Sequence, residues 1–419
     1  MTILETNFAG IKSPNPFWLA SGPPTNTAYQ IMKAFEAGWG GAIWKTLGQP
    51  ISNVSSRYGA LSYKNNRMMG LNNIELITEK PLEVNLSEMK KVKERFPKNA
   101  VIASLMFETK EEWHDAIKRC EDVGVDGFEL NFGCPHGMCE RGMGSAVGQN
   151  PEVCEKITSW VTEKANIPVI VKLTPNITDI TKPALAAQRG GANAVSLINT
   201  INSVTGINLD TMEPNPSVGG YSTHGGYCGP AVKPIALNMV AEIAKHPDFH
   251  LPISGIGGVE TWRDAAEFFL MGASTVQVCT AVMHYGFRIV TDLITGMHEY
   301  LALHKRNSIN ELSGIASRKI KKWEELNLNY KVIAKIDPEK CISCQLCYIA
   351  CDHGAYQSIA IVEDSRIPLI LEDKCVGCNL CNLVCPVEEC ISMVEVKTNK
   401  EKLVWANHPK NVKNISLKK

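Results

Sequence analysis

The chain has 419 residues, 44% of them hydrophobic, with 43 Lys and Arg against 43 Asp and Glu. A formal net charge of zero supplies no basic field to condense on phosphate backbones, which argues against nucleic acid as the main partner. The opening MTILETNFAG lacks a basic stretch followed by an apolar run, and no window reaches the ~18 uninterrupted apolar residues of a membrane span, so a soluble, unexported, cytoplasmic protein is expected.

The first three hundred residues alternate short apolar runs with helix-like intervals, the pattern of a parallel sheet. The runs are PFWLAS (16–21), GAIWKT (41–46), VIASLMF (101–107), GFELNF (127–132), PVIVKLT (168–174), AVSLINT (194–200), PISGIGG (252–258) and TVQVCTA (275–281). Eight strands with intervening helices in this length predict a (β/α)8 TIM barrel over 1–308. Between them, KEEWHDAIKRCEDVG spaces Trp113, Ile117 and Cys120 three or four apart and stops at Gly124, as an outer amphipathic helix would. ETWRDAAEFFLMG repeats the design with Trp262, Ala265, Ala266 and Phe269, ending at Gly272.

Ser21, Lys45, Asn131, Lys172, Asn199, the Gly257-Gly258 pair and Thr280 all fall at the C-terminal ends of these strands. In a barrel those ends share one mouth, where active sites of this fold are built. A single buried lysine is costly and by itself argues for a misplaced surface residue. Two lysines and two asparagines in equivalent positions argue instead for a polar site.

From 309 to 334 the composition shifts to a charged linker (RKIKKWEELNLNYKVIAK), and after 399 the Lys- and Asn-rich end is expected to fray. Between them, at 335–398, lie nine of the chain's 15 cysteines. An odd, clustered set in an unexported chain points to metal or redox chemistry rather than a disulfide framework. Cys341, Cys344, Cys347 and Cys351 form C-x2-C-x2-C-x3-C, and Cys375, Cys378, Cys381 and Cys385 repeat it before Pro386. Three thiolates on a tight loop ligate three corners of a cubane and the fourth goes to the other cluster. This assigns Cys341, Cys344, Cys347 and Cys385 to one [4Fe-4S], and Cys375, Cys378, Cys381 and Cys351 to the other, in a small α+β bacterial-type ferredoxin domain. Two zinc knuckles are the alternative, although zinc needs no third cysteine at that spacing. Asp352 stands where a proline commonly follows the fourth cysteine, and Cys390 reads as a spare apolar side chain.

Two clusters carry single electrons, and a flavin exchanges these with the electron pairs of an organic substrate. SGIGGVET (254–261) after the seventh strand offers glycines whose backbone N–H groups can approach a phosphate at a helix start. No GxGxxG fingerprint occurs, so no dinucleotide domain is expected in this chain. ELNFGCPHGMCERGMGSA (129–146) puts Cys134 three residues after Asn131, before a glycine-rich charged loop. A thiol there could be an inert buried side chain or trade a proton with substrate.

NPFWLASG, FEAGWG, NIELITEK, CPHGM-x-ERGMG, KLTPN-x-TDI and QVC-x-AV carry a resemblance that runs from about residue 3 to 395. The sequence resembles the FMN- and iron–sulfur-containing dihydropyrimidine dehydrogenases: the catalytic subunit of the NAD-dependent enzyme and the C-terminal half of the long animal chain. The barrel would then be dihydroorotate dehydrogenase-like, with CPHGM separating it from the CPN form of those enzymes. The resemblance implies reduction of uracil or thymine to the 5,6-dihydro form, with hydride from FMN reaching C6 and Cys134 giving the proton to C5. It places Asn73, Glu75, Asn131, Asn199 and Thr200 on the pyrimidine, whose alternating N–H and C=O groups suit side chains that donate and accept in fixed planes. It places Ala20, Lys45, Thr46, Lys172, Gly229, Gly257, Gly258, Cys279 and Thr280 on FMN. A lysine near the flavin's pyrimidine end suits an anionic reduced form.

Two positions depart from the family pattern. Phe132-Gly133 replaces the animal enzyme's Leu-Ser, and Cys139 stands where glycine is usual, which makes it a rival acid. The resemblance further implies a reductase partner carrying FAD and binding NADH, in an α2β2 assembly. The rivals are a dihydroorotate dehydrogenase-like enzyme acting on another ring and a non-catalytic flavin/iron–sulfur electron-transfer module.

Overall fold

The computed structural model describes residues 4–63, 66–135, 142–354, 356–362 and 366–413. The chain forms two compact units, Met1–Lys319 and Ile320–Lys419. In the first, eight strands close a parallel barrel: β1 (Phe17–Leu19), β2 (Gly41–Ile43), β3 (Ala100–Leu105), β4 (Gly127–Asn131), β5 (Val169–Lys172), β6 (Ala194–Leu197), β7 (Ile253–Ile256) and β8 (Thr275–Val278). Each is one of the eight runs expected from sequence, and β8 pairs in parallel with β1 to close the ring.

The pleat sends alternate residues of each strand to opposite faces, so a single strand serves two cores. Phe17, Leu19, Val101, Ala103, Phe128, Leu130, Val169 and Val171 face outward into a core shared with the surrounding helices. Trp18, Ile43, Ile102, Ile170 and Ala194 face inward and fill the bottom of the barrel. A short hairpin, Thr6–Phe8 with Ile11–Ser13, plugs that end, and Phe8 meets Trp18 edge to face at 5.6 Å. One layer higher the inward positions turn polar: Ser104, Glu129, Ser196, Ser254 and Gln277 are all buried. The next positions up, Asn131 and Lys172, are opposite each other on β4 and β5 and open the mouth.

The two expected outer helices are present as Lys110–Asp122 and Trp262–Met271. Each begins with a capping box, Thr109 with Glu112 and Thr261 with Asp264, which satisfies the first amides of the helix. Gly272, at φ +124°, ends the second in a backbone state that costs glycine little.

The strand count from sequence omitted an antiparallel sheet inserted after β2 and β6. Its strands are Tyr58–Tyr63, Asn66–Asn73, Ile201–Ser203 and Gly225–Cys228. These segments are rich in Asn, Gly and Ser and lack an apolar alternation, so they read as loops.

In the second unit, Val332–Ile336 pairs antiparallel with Ile391–Glu395, and Ile359–Ile361 with Pro368–Ile370. Helices Leu346–Gly354 and Leu380–Leu383 complete an α+β arrangement around the cysteines.

The unit boundaries differ from the sequence reading. Ile309 and Leu312 belong to the barrel's apolar core, and Ala316 N–H donates to Leu270 O at 2.9 Å, so the first unit continues past 308 to Lys319. Residues expected as linker and frayed end pack on each other. Leu328 N–H donates to Leu403 O at 2.8 Å, and the Trp323 and Trp405 rings lie 6.1 Å apart. Apolar Trp, Leu and Val side chains scattered among lysines supply this packing, although each segment alone looks polar. Among the described residues no helix is long and apolar enough to cross a membrane.

Candidate active site and iron–sulfur cavities

A cavity of about 1140 Å³ opens at the C-terminal ends of the barrel strands. Its lining brings together Cys134, the amides Asn73, Asn131 and Asn199, Glu75 and Thr200, together with the residues expected to hold the flavin: Ala20, Lys45, Thr46, Lys172, Gly229, Gly257, Gly258, Cys279 and Thr280. The barrel strands and the inserted sheet contribute together.

Asn131 is the pivot of the mouth. Its Nδ2 donates to Thr46 Oγ1 at 3.0 Å, and its Oδ1 accepts from Asn199 Nδ2 at 2.9 Å and from Gly133 N–H at 3.3 Å. Thr46 is itself 2.9 Å from Ser104 and 3.2 Å from Ser21. Asn199 Oδ1 accepts the Thr200 amide at 2.8 Å, and Asn73 Nδ2 donates to Gly226 O at 3.3 Å, so each amide plane is held before any ligand arrives. Such pre-set planes lose little freedom on binding.

Cys134 is buried among Ile77, Met106 and Met143. Its carbonyl accepts from the Ser145 amide at 2.9 Å. Gly144, at φ +60°, permits that approach, since a Cβ there would stand 2.6 Å from Cys134 O. Cys139, the rival acid, lies outside the described residues.

Beneath the mouth, Lys172 Nζ is 3.4 Å from Glu129 Oε1, while Glu129 Oε2 accepts from Ser196 Oγ at 2.8 Å and Gln277 Nε2 at 2.9 Å. Lys45 Nζ donates to Glu75 Oε1, and the Tyr58 hydroxyl donates to Glu75 Oε2. Burial and the Glu75 contact together raise the Tyr58 phenol well above its ordinary pKa, so it stays protonated. Burial likewise pushes the Cys279 thiol up to about 12 and Cys228 to about 11. Both are wall residues rather than thiolates at neutral pH.

Sequence reasoning missed Tyr58, Glu129, Cys228 and Gln277. Glu129 carried a signal, a charged residue inside the otherwise apolar GFELNF run. Tyr58 and Cys228 lie on the inserted sheet, which only tertiary pairing creates.

Gly257 and Gly258 have φ of +125° and +74°, and Gly229 of +93°. A Cβ on Gly258 would stand 2.8 Å from Lys233 Cβ and 3.0 Å from Gly229 O, so this turn accepts only glycine.

In the second unit the two cysteine runs form two cavities. Cys341, Cys344, Cys347, Cys385 and also Cys390 line one, and Cys351, Cys375, Cys378 and Cys381 line the other. The loops share a backbone: Ser343 and Gly377 have φ of +55° and +71°, Gln345 and Asn379 of +62° and +69°. The Ser358 amide points at Cys351 Sγ at 3.2 Å. Cys390 is buried in the same small core, with its sulfur 3.8 Å from Asp337 O.

Residues 3–301 match the dihydroorotate dehydrogenase family, and residues 334–393 match the 4Fe-4S dicluster domain. The chain is 44% identical over 399 residues to the NAD-dependent dihydropyrimidine dehydrogenase subunit PreA of Escherichia coli K12, covering 95% of this chain and 97% of the relative. It is 46% identical over 325 residues to the chloroplastic dihydropyrimidine dehydrogenase (NADP(+)) of Arabidopsis thaliana, covering 74% and 76%. It is 37% identical over 318 residues to the dihydroorotate dehydrogenase B (NAD(+)) catalytic subunit of Pyrococcus abyssi, covering 75% and 99%. The chain therefore belongs to the dihydroorotate dehydrogenase family as an iron–sulfur flavin oxidoreductase of the dihydropyrimidine dehydrogenase type.

Proposed function

We propose that this chain is the catalytic subunit of a cytoplasmic NAD-dependent dihydropyrimidine dehydrogenase of pyrimidine catabolism, reducing uracil or thymine to the 5,6-dihydro form. FMN would occupy the barrel mouth, and electrons would arrive through two [4Fe-4S] clusters from a partner subunit carrying FAD and binding NADH, in an α2β2 assembly. One observation carries the reading: a thiol, three oriented amides, two buried lysines and a glycine-only turn share one cavity.

The residues fit the flavin. Gln277 Oε1 is buried in the lining with no hydrogen-bond partner among the described residues, an acceptor in need of an N–H. Gly257, Gly258 and Gly229 leave backbone open where a phosphate needs close approach. When bound, the flavin supplies the hydride that adds to C6 of the ring.

The remaining steps belong to the chain's own side chains. Asn73, Asn131, Asn199 and Thr200 present donors and acceptors to the alternating N–H and C=O edge of a pyrimidine. The Cys134 thiol gives its proton to C5, leaving a thiolate that regains a proton from solvent; in the oxidative direction it acts as base. Lys172 offsets negative charge that reduction adds to the cavity.

The cysteine cavities support the crossed ligand sets, because each gathers three thiols of one run and the last of the other, with Cys390 as a fifth thiol in the first. The subunit name of the Escherichia coli relative supports a separate partner subunit.

The test is an anaerobic titration of the reconstituted chain with dihydrouracil and, separately, dihydroorotate. Bleaching of the flavin by dihydrouracil alone is expected; bleaching by dihydroorotate alone would overturn the reading. Rapid NADH oxidation by the isolated chain would remove the need for a partner.

A further inference from the structure

Among the described residues two lysines line the cavity, and both already face carboxylates. Lys172 stands 3.4 Å from Glu129. Lys45 donates to Glu75, whose other oxygen takes the Tyr58 hydroxyl, with Arg57 Nη1 3.6 Å away. The Lys45 and Glu75 side chains are 6% and 10% exposed, so water screens their fields weakly. Glu260 joins Glu75 as a second carboxylate of the wall, with Glu129 beneath it beside Lys172.

The cavity thus offers no net positive charge from its lining. A neutral ring of alternating N–H and C=O groups enters without an electrostatic penalty. A ring bearing its own carboxylate brings a further anion into a poorly hydrated space where the lysines are committed. This matters within the family, since the Pyrococcus abyssi relative is named for dihydroorotate, a dihydropyrimidine that carries a ring carboxylate.

We propose that Glu75, clamped by Lys45, Tyr58 and Arg57, is a specificity-determining residue that bars carboxylate-bearing pyrimidines by neutralising Lys45 and presenting its own negative charge to them. The inference rests on the dihydropyrimidine reading of the site and deepens it. Tyr58 is the positioning residue: its hydroxyl holds one carboxylate oxygen while Lys45 and Arg57 hold the other, which fixes the plane of the group. Nothing in this device requires a moving part, so discrimination is present in the resting enzyme.

The experiment is calorimetric titration of orotate and of uracil into the flavin-loaded full chain, for wild type, Glu75→Gln, Glu75→Ala and Tyr58→Phe. Wild type should bind orotate at least about 100-fold more weakly than uracil, and Glu75→Gln should bind orotate at least about tenfold more tightly than wild type does. Tyr58→Phe keeps the charge and should still exclude orotate. Glu75→Ala provides the same charge removal without the amide, should Glu75→Gln fail to hold flavin. In the Glu75→Gln, Lys45→Gln double variant the gain for orotate should vanish. Orotate affinity within about twofold of wild type in both Glu75 variants would overturn the inference, as would orotate binding by Tyr58→Phe as tight as by Glu75→Gln, which would make room rather than charge the barrier. If wild type neither binds uracil nor is bleached by dihydrouracil, the dihydropyrimidine reading itself fails; if it does both, only the role of Glu75 is at stake.

Discussion

Inside the barrel, the Glu129 carboxylate on β4 lies 3.4 Å from the Lys172 ammonium on β5, and neither side chain is more than 7% exposed. Ser196 and Gln277 both donate to Glu129 Oε2, while its Oε1 has no hydrogen bond among the described residues and is offset by the Lys172 charge alone. Removing one member leaves the other charge without compensation. Glu129→Leu should therefore cost about 3–5 kcal/mol in urea denaturation. A loss within experimental error would show that Lys172 finds another partner or loses its proton.

Replacing Cys134 by Ala should leave flavin and iron bound while dihydropyrimidine turnover falls by roughly two to four decades, the range for loss of a proton-transfer group. Flavin absorbance, iron content and turnover on one preparation check this. Turnover like that of wild type would exclude Cys134 from the mechanism.

Gly133→Ala tests the mouth rather than the chemistry. An added Cβ would stand 2.3 Å from Asn199 Cβ and 2.5 Å from its Nδ2, so Asn199 must leave its bond to Asn131. KM for the pyrimidine should rise by about tenfold or more, a size set by one displaced polar contact of ~1.5 kcal/mol. An unchanged KM would mean that Asn199 does not hold the ring.

The proposed crossed ligation predicts a particular pattern of iron loss. Cys341→Ser and Cys385→Ser should each lower iron from about eight to about four atoms per chain, and combining them should lower it no further. Cys341→Ser combined with Cys375→Ser should empty both sites. Loss of all iron in the Cys341→Ser, Cys385→Ser pair would show instead that each run serves its own cluster.

Asp264 gives a pH dependence. Burial raises its pKa, but the hydrogen bond from Lys233, at 2.6 Å, and the amides of Thr261 and Glu260 outweigh burial and hold it below the ordinary carboxylate range. A depressed carboxyl stabilises the fold above its unfolded value, about 3.9, and that contribution fades as pH falls through the lower folded value. Asp264→Asn should therefore have a lower urea midpoint than wild type at pH 6–7, and the gap should close in acid near and below about pH 4. A gap that is constant with pH would assign the effect to packing.

The sequence by itself was enough for the barrel and for the two cysteine runs. All eight apolar runs became strands of one barrel, and the seven that carry Ser21, Lys45, Asn131, Lys172, Asn199, Gly257-Gly258 and Thr280 bring those residues into one cavity. Burial on both faces forces parallel strands to be apolar throughout, and such runs are visible without any partner. The cysteine spacing is similarly local, because three thiols on one tight loop need only a few backbone angles, as the matching left-handed residues of the two loops show.

Tertiary structure decided what depends on partners distant in the chain. The inserted sheet joins Asn66–Asn73 to Gly225–Cys228 across more than a hundred residues, and its strands have little apolar content to announce it. That pairing brings Tyr58 and Glu75 to Lys45 and places Cys228 in the cavity wall. Glu129 was visible as a charge in an apolar run, but its partner Lys172 became one only when β4 and β5 lay side by side. The end of the barrel unit and the packing of Trp323 on Trp405 had the same origin. Local sequence sets backbone preference and the pattern of apolar faces; which charge meets which is set by the register of strands that the chain brings together from far apart.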